Sequence, residues 1–368
     1  MARRHAAGLT AALVVALCLV TGGSASAATT LFVDIGNASC SDVGPGTAAI
    51  PFCSIQPAVD AAAPGTTISV NPGTYAEQVT VGPGKNGVKL IANGAATIAA
   101  PAVLAAPGAI VRVTGSDPVR VGGFTITGPS PQSCGALTAG VRVDGGGRVF
   151  VVHDHITAIR TNPIGGCQTG YGVRAGSTAD GTTGRAVILH SVIDDYQKDG
   201  ILADNTGSNV FVRYDTVVGS VTPATALNGI QIARGATGQI RDTTVSNNQY
   251  TGTVPDTSSS GILLFPFPGV SYMRDDTVTA NDVDVWLYGA MGSKIVRVTA
   301  TGATLQGFAV QGDPTFGIST ANILKFLTAT GNGGPDVQDD SVGGGTAGTA
   351  NAWRFNTCGT SLPVGLCA

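Results

Sequence analysis

The sequence is poor in charged and aromatic residues, which make up 12% and 5% of its 368 positions. Acidic residues outnumber basic ones by 23 to 20, so the chain lacks the basic surplus with which proteins hold nucleic acid phosphates. Beyond the first 20 residues, no apolar run approaches the roughly 18 residues that a membrane helix needs. We therefore expect neither a nucleic acid nor a membrane as partner.

The first 27 residues have the layout of a secretory signal peptide. Arg3 and Arg4 precede an apolar run over 11–20, and small residues at 25–27 form a cleavage site. Because the two arginines are the only charges in this segment, its removal changes the formal net charge from −3 to −5. We expect a secreted, extracellular protein that starts near Ala28 and is a monomer.

Seven cysteines are present, and Cys18 lies inside the signal peptide. An even number of cysteines in an exported chain indicates disulfides, and no spacing typical of zinc ligands occurs. Closeness in sequence favours the pairs Cys40–Cys53 and Cys358–Cys367. Cys134 and Cys167 then remain as the third pair.

The chain repeats a short phrase in which a glycine is followed by alternating apolar residues. The phrase begins at Gly140, Gly172, Gly200, Gly229, Gly261 and Gly307, and Asp282 and Asp336 fill the gaps. Separations of 21 to 32 residues indicate a solenoid built from stacked coils.

A second phrase ends in an apolar residue 16 to 20 positions after each glycine, and nearly all variation in length follows it. Short β-rich runs separated by turns predict an all-β parallel β-helix with three strands per coil and nine or ten coils. The variable loops, at 129–139, 157–171, 218–228 and 246–260, should form one wall of a groove.

The ends of the solenoid have their own signals. Ile55, Ala58, Val59 and Ala62 recur at helical spacing, which predicts a helix near 55–63 that covers the first coil. We divide the chain into a signal peptide at 1–27, an N-terminal cap at 28–65, the β-helix at 66–345 and a disulfide-closed capping tail at 346–368.

Two segments resemble a known group of proteins. The run PFCSIQPAVDAAAPGTTISVNPGTYAEQVTV at 51–81 resembles the opening of right-handed β-helix proteins of the pectin-lyase-like superfamily. The run ANAWRFNTCGTSLPVGLC at 350–367 resembles the tail of its secreted bacterial members. The resemblance implies the right-handed fold, but that superfamily contains lyases, hydrolases, esterases, epimerases and proteins with no known reaction.

Alternation along each strand predicts which side chains point outward. If Val141 and Val143 fill the interior, Arg142 faces solvent. The same register gives a first outward column and a second one two residues further on. The first is Arg112, Arg142, Arg174, Leu202, Gln231, Leu263, Asp284, Ala309 and Gln338; the second is Thr114, Asp144, Gly176, Asp204, Ala233, Phe265, Trp286, Gln311 and Asp340.

The stacked arginines are the first candidate site. Arg112, Arg142 and Arg174 on successive coils would repel one another unless an anion lies between them, and a uronate carboxylate fits a guanidinium fork. The other interpretation is a solvated row that Asp144 partly neutralises. Phe265 and Trp286 are predicted neighbours that offer sugar rings an apolar platform, which Phe267 and Tyr288 extend, unless the loop at 246–260 or the tail covers them.

Elimination from a uronic acid needs a base and a group that neutralises the carboxylate. The resemblance implies an arginine or lysine base, for which Arg142, Arg174 and Lys198 are the candidates, with Asp144, Asp204, Gln231, Asp284 and the aromatic pair as substrate contacts. Calcium could neutralise the carboxylate, held by Asp194, Asp195, Asp199 or Asp204, although their spacing is not that of a calcium loop. Hydrolysis by Asp144 and Asp204 is a further option, with the pair near the upper limit of separation for an inverting mechanism.

The motifs of polygalacturonases, pectate lyases and pectinesterases are missing, and only 284–289 faintly resembles one of them. The leading hypothesis is a secreted protein that binds an acidic polysaccharide, with lyase the favoured reaction. The rival is a non-catalytic envelope or matrix β-helix. The polar residues Asp154, His190, Asp215 and Asp276 occupy equivalent turn positions and predict a stacked turn ladder rather than a site.

Overall fold

The computed structural model describes residues 29–131, 133–312 and 314–367. The predicted signal peptide lies outside the described residues. Within them the chain forms three long parallel sheets of 12, 11 and 11 strands. No helix in the described part of the chain is long and apolar enough to cross a membrane.

Each coil contributes one strand to each sheet, in the order first, second, third. The first sheet contains Thr30–Val33, Thr67–Val70, Lys89–Ala92, Val119–Gly122, Arg148–Val152, Arg185–Leu189, Asn209–Arg213, Thr237–Arg241, Tyr272–Arg274, Lys294–Val296, Ile323–Lys325 and Ala352–Arg354. The second contains Gly73–Ala76, Ala96–Ala99, Thr125–Thr127, His155–Thr157, Val192–Asp194, Thr216–Val218, Thr244–Ser246, Thr277–Thr279, Thr299–Thr301, Thr328–Thr330 and Thr357–Cys358. The third contains Val79–Val81, Ala109–Thr114, Ala139–Asp144, Tyr171–Ala175, Asp199–Asp204, Asn228–Ala233, Ser260–Leu264, Val283–Tyr288, Phe308–Gln311, Val337–Asp339 and Ser361–Leu362.

This arrangement confirms the predicted parallel β-helix with three strands per coil. The strand counts correspond to about eleven coils, somewhat more than the glycine phrases indicated. The additional third-sheet strands, Val79–Val81 and Ser361–Leu362, have only two or three residues and are too short to show the phrase. The first and last strands of the first sheet lie in segments that the sequence analysis assigned to the caps.

Apolar residues from the three sheets fill the interior of every coil. Val149, Ile156 and Val143, one from each sheet, are fully buried. Because side chains alternate across a strand, the residues between them face outward. The core is therefore a continuous stack of β-branched side chains along the rod.

The one α-helix among the described residues, Ile55–Ala61, packs against the first strands of the solenoid as predicted. Ile55, Ala58 and Val59 form its buried face. Its first turn is capped by Glu77, whose carboxylate accepts hydrogen bonds from the backbone N–H groups of Ile55 and Gln56. A short 3₁₀ turn, Thr346–Gly348, precedes the last coil.

The predicted ladder occupies the turn between the first and second sheets. Asp215 accepts the backbone N–H of Ser191 from the preceding coil at 2.7 Å and that of Arg213 at 2.8 Å. Asp154 and Asp276 accept equivalent pairs of bonds. His190 was misplaced by one residue, because it stacks on His153 at a ring distance of 5.1 Å outside the ladder.

The three predicted disulfides are all present. Cys40–Cys53, Cys134–Cys167 and Cys358–Cys367 have Cα separations of 5.0, 5.5 and 5.8 Å. The second joins two variable loops of successive coils. A two-stranded sheet of Val221–Thr222 and Gln249–Tyr250 joins the next two loops in the same way.

Candidate functional site

The third sheet carries the predicted outward columns. Arg112, Arg142 and Arg174 are directly paired in register on successive coils, as expected. A bulge precedes them, because Gly140 and Val141 both face the core, where a Cβ on Gly140 would lie 2.7 Å from Ile156. In the coils that begin at Gly140, Gly172 and Gly200 a Cβ would clash at this place, which explains the glycine there, whereas Ile110 and Asp284 occupy it in other coils.

Because of an equivalent bulge, the outward orientation predicted for Asp284 is wrong. Val285 pairs with Ile262 and Trp286 with Leu263, so Asp284 occupies the place of the phrase glycine and points inward. It is fully buried, and its Oδ1 accepts a hydrogen bond from Asn281 at 2.8 Å. Burial raises its pKa to about 7. Asp284 therefore belongs to the core, and the position predicted for it in the outward column is taken by Trp286.

Asp144 neutralises the first two arginines of the row. Both of its oxygens contact Arg112 at 3.1 Å, and Oδ2 also accepts a hydrogen bond from Arg142 at 2.7 Å. Asp180 accepts a second bond from Arg142 at 2.6 Å. Arg142 is only 4% exposed, so its guanidinium is committed to these two carboxylates.

Asp204 has the same role further along the sheet. It accepts a hydrogen bond from Arg234 at 2.7 Å and lies 3.5 Å from Arg174. The Arg174 guanidinium also lies over the ring of Tyr171 and donates to Ser177. Four guanidinium groups thus share three carboxylates, which leaves this row one positive charge in excess.

Both shared carboxyls are held in the ionised state. Burial acts to raise the pKa of Asp144, but hydrogen bonds from Arg112, Thr114 and Arg142 hold it below its usual value. The pKa of Asp204 is lowered against burial by Arg234 and Thr178. An inverting glycosidase has one carboxyl of the pair with a raised pKa, whereas the pKa values of both Asp144 and Asp204 are lowered.

An open groove lies next to the row on the same sheet, and we call it the aromatic groove. The rings of Phe265 and Tyr288 stack at 5.3 Å, and those of Trp286 and Tyr288 are parallel at 5.5 Å. Phe316 closes one side with its ring 4.9 Å from that of Phe265. The cavity has a volume of about 600 Å³.

The predicted aromatic neighbours thus line one groove, although Phe265 packs on Tyr288 rather than on Trp286. Phe267 lies outside the groove, beside Met291 and Ile318. The loop at 246–260 forms a wall through Asp256, Thr257 and Ser258 and does not cover the rings. No residue of the C-terminal tail lines the groove in the described part of the chain.

Polar side chains form the opposite side of the groove. Lys198, Gln231 and Asn228 line it, and the ammonium of Lys198 donates to the carbonyl oxygen of Ala226 at 2.9 Å. Asn228 donates to Gln231 at 3.0 Å and to the buried Asp199 at 2.9 Å, and accepts from Ser260. Desolvation raises the pKa of Asp199. The amide network fixes the orientation of the groove's hydrogen-bonding groups.

Three predicted variable loops contribute to the groove. Gln168, Ala226 and the 256–258 segment come from successive loops, as the single-wall prediction requires. Cys167, bonded to Cys134, directly precedes Gln168. The disulfide therefore anchors the base of this wall.

Among the predicted catalytic residues, only Lys198 lines the groove. Sequence reasoning missed Asn228, Tyr171, Arg234 and Phe316. Asn228 could have been found from the repeated phrase, because it directly precedes Gly229. Phe316 could not, because it lies in a loop with no repeat signal. Among the described residues no three His, Cys, Asp or Glu side chains are grouped to hold a metal ion. Asp194 and Asp195, candidate calcium ligands, instead pair with His155 and Arg160.

Comparison with solved structures of other proteins identifies the fold. No protein-family model matches the sequence, and a search of curated proteins gives no match. A search of solved structures gives matches that cover 90% of this chain. The chain is a right-handed parallel β-helix protein. Similar structures include the Dettilon tailspike protein, with a TM-score of 0.55, 12% identity and 68% of that chain covered.

Two further similar structures are enzymes by their descriptions. The GH136 lacto-N-biosidase from Eubacterium ramulus has a TM-score of 0.54 and 11% identity, with 67% of that chain covered. The alginate lyase from Paenibacillus sp. str. FPU-7 has a TM-score of 0.50 and 14% identity, with 99% of that chain covered. At such identities the likeness establishes the shared β-helix fold of this chain and nothing finer.

Proposed function

We propose that this protein is secreted and binds an acidic polysaccharide in the aromatic groove. The observation that carries the proposal is the groove itself, where half-buried, mutually stacked aromatic rings stand opposite an ordered set of amides and one ammonium group. Aromatic faces offer rigid apolar area for sugar rings, and the amides can hydrogen-bond their hydroxyls. Its volume of about 600 Å³ suits a few sugar units.

The charge around the groove supports an acidic ligand. Lys198 and Asp256 line it with opposite charges, and the neighbouring arginine row keeps one positive charge in excess. Carboxylates on the sugars would be attracted to this edge. Three disulfides are consistent with an oxidising compartment outside the cytoplasm.

A lyase reaction would place Lys198 as the base. In its neutral amine form it would remove the proton at C5 of a uronate, whose electron pair would form the C4–C5 double bond as the bond from C4 to the glycosidic oxygen breaks, and the released oxygen would take a proton from water. Arg142 and Arg174 are committed to ion pairs and ring contacts, so we assign them to the support of the row rather than to proton transfer. The same commitment favours the second candidate, a binding protein without turnover.

Calorimetric titration with pectate, alginate and glycosaminoglycan oligosaccharides tests the binding proposal. Trp286→Ala should weaken binding by about tenfold, because a stacking surface is lost. Phe355→Ala is the matched control, since Phe355 is an exposed aromatic residue outside the groove. Equal affinity of the Trp286 variant and the wild-type protein would refute the groove as the binding site.

Absorbance of the unsaturated uronate separates the two candidate functions. The same polysaccharides are incubated with and without calcium. A lyase gives a rising signal that Lys198→Ala abolishes while binding persists. Binding without any rise for the wild-type protein identifies the non-catalytic alternative.

A further inference from the structure

The outward face of the second sheet carries an array of threonines that the groove does not use. Each strand there has three residues, of which the middle one enters the core and the outer two face solvent. We define the threonine face by its two columns over the last six coils. They are Thr216, Thr244, Thr277, Thr299, Thr328 and Thr357, and Val218, Ser246, Thr279, Thr301 and Thr330.

The array is regular in two directions. Residues in each column are paired directly across neighbouring strands, so they repeat at about 4.8 Å along the rod. The two columns lie two residues apart on the strand, or about 6.6 Å. The face therefore forms a grid about 24 Å long, held by the backbone ladders of the sheet.

The hydroxyl groups of this face are not used by the protein. None of its threonine side chains forms a hydrogen bond to another described residue, although the surrounding turns are rich in such bonds. The face also carries no charged side chain. In the preceding coils the same columns are interrupted by His155 and Asp194, which pair with each other at 2.9 Å.

A preference of threonine for strands does not by itself account for this uniformity. One outward column of the first sheet runs along the same coils, and its side chains differ from coil to coil. There Phe211, Gln239, Tyr272, Lys294 and Ile323 follow one another. Both surfaces meet the same β-sheet constraint, yet one column of the threonine face keeps threonine over six coils, whereas the longest run of one residue type on the first sheet, Arg213, Arg241 and Arg274, spans three.

We propose that the threonine face binds the surface of an ice crystal. Each threonine presents one hydroxyl and one methyl group, which can take a place in a water lattice and shield it. Hexagonal ice repeats along two axes at distances close to those of the grid, and a rigid array loses little entropy on binding. Charged side chains would hold disordered water of their own, and this face has none.

Partition of the purified protein into slowly growing ice tests the inference. The wild-type protein should enter the ice and change the shape of growing crystals. The double variant Thr299→Lys/Thr301→Lys should lose both effects, because two ammonium groups break the centre of the grid. Exclusion of the wild-type protein from ice, or an unchanged double variant, overturns the proposal.

Thr97→Lys is the matched control. Thr97 lies in the same column of the second sheet but beyond the interruption at His155, so its variant should still enter ice. Circular dichroism and thermal unfolding verify that both variants fold. Binding of the face to crystalline chitin or cellulose, lost in the double variant while ice is ignored, would also overturn the proposal. Saccharide binding in the aromatic groove should be the same in all three proteins.

Discussion

Asp144 holds arginines of two neighbouring coils at once. Arg112 is partly exposed, whereas Arg142 and Asp144 are almost completely buried. Desolvating such groups is unfavourable unless each charge is paired, so the row is stable only as a set. The arginine row is therefore first a structural feature of the third sheet, and its excess charge is what remains for a ligand.

Replacing the shared carboxylate should reveal this dependence. Asp144→Asn leaves the buried Arg142 with Asp180 alone, and the free energy of unfolding should fall by about 3 kcal/mol. Urea denaturation measures the change. In the control, Asp242→Asn breaks an exposed pair with Arg213 and should change stability by less than about 1 kcal/mol. Similar losses for the two variants would contradict the assigned role of Asp144.

At the scale of strands and loops, the sequence predicts what repeats and misses what departs from the repeat. Arg142 and Arg174 were placed correctly because each follows the same glycine phrase, and Arg112 because its VRV run matches that of Val141–Val143. Asp284 was misplaced because a buried aspartate stands where most coils have glycine, and the alternation of DVDV hides the bulge. Phe316 could not be foreseen, since the path of its loop depends on packing against Phe265.

The loop wall depends on one disulfide for its position. Replacing both Cys134 and Cys167 by serine frees a segment of 33 residues, and unfolding should become easier by about 3–4 kcal/mol. Ligand affinity should fall as well, because Gln168 on the groove wall follows Cys167. The measurements are urea denaturation and calorimetric titration.

The Cys40–Cys53 disulfide provides the comparison for this wall. It closes 13 residues near the capping helix, away from the groove. Its double serine variant should lose about 3 kcal/mol of stability by the same entropy argument and bind ligand as before. If both double variants bind equally well, the wall does not need its disulfide to shape the groove.

Across the whole molecule, the stacking of coils buries carboxyl groups along one corner of the rod. Asp154, Asp215 and Asp276 of the turn ladder each have a pKa raised to about 7, chiefly by desolvation and against the hydrogen bonds that they accept. Asp144 and Asp204, on the third sheet, have lowered pKa values. The fold thus combines two groups of carboxyls with opposite responses to pH.

These opposite shifts predict an acidic optimum of stability. As pH rises from about 4 to 7, the ladder carboxyls ionise first in the unfolded chain, so the free energy of unfolding falls. As pH falls below about 4, protonation of Asp144 and Asp204 removes their ion pairs and stability falls again. Thermal unfolding across this range should give a maximum near pH 4–5.

The variant Asp215→Asn tests whether the ladder causes the decline above pH 4. An asparagine already fills the equivalent turn position at Asn356, where it accepts from Leu327 N–H and donates to the carbonyl of Leu324, so the fold tolerates an amide there. Without a titrating group at 215, stability should decrease less steeply between pH 4 and 7. Asp117→Asn, which alters an exposed pair with Arg148, should keep the wild-type slope. An unchanged slope for the Asp215 variant would mean that the ladder carboxyls ionise as readily in the folded protein as in the unfolded chain.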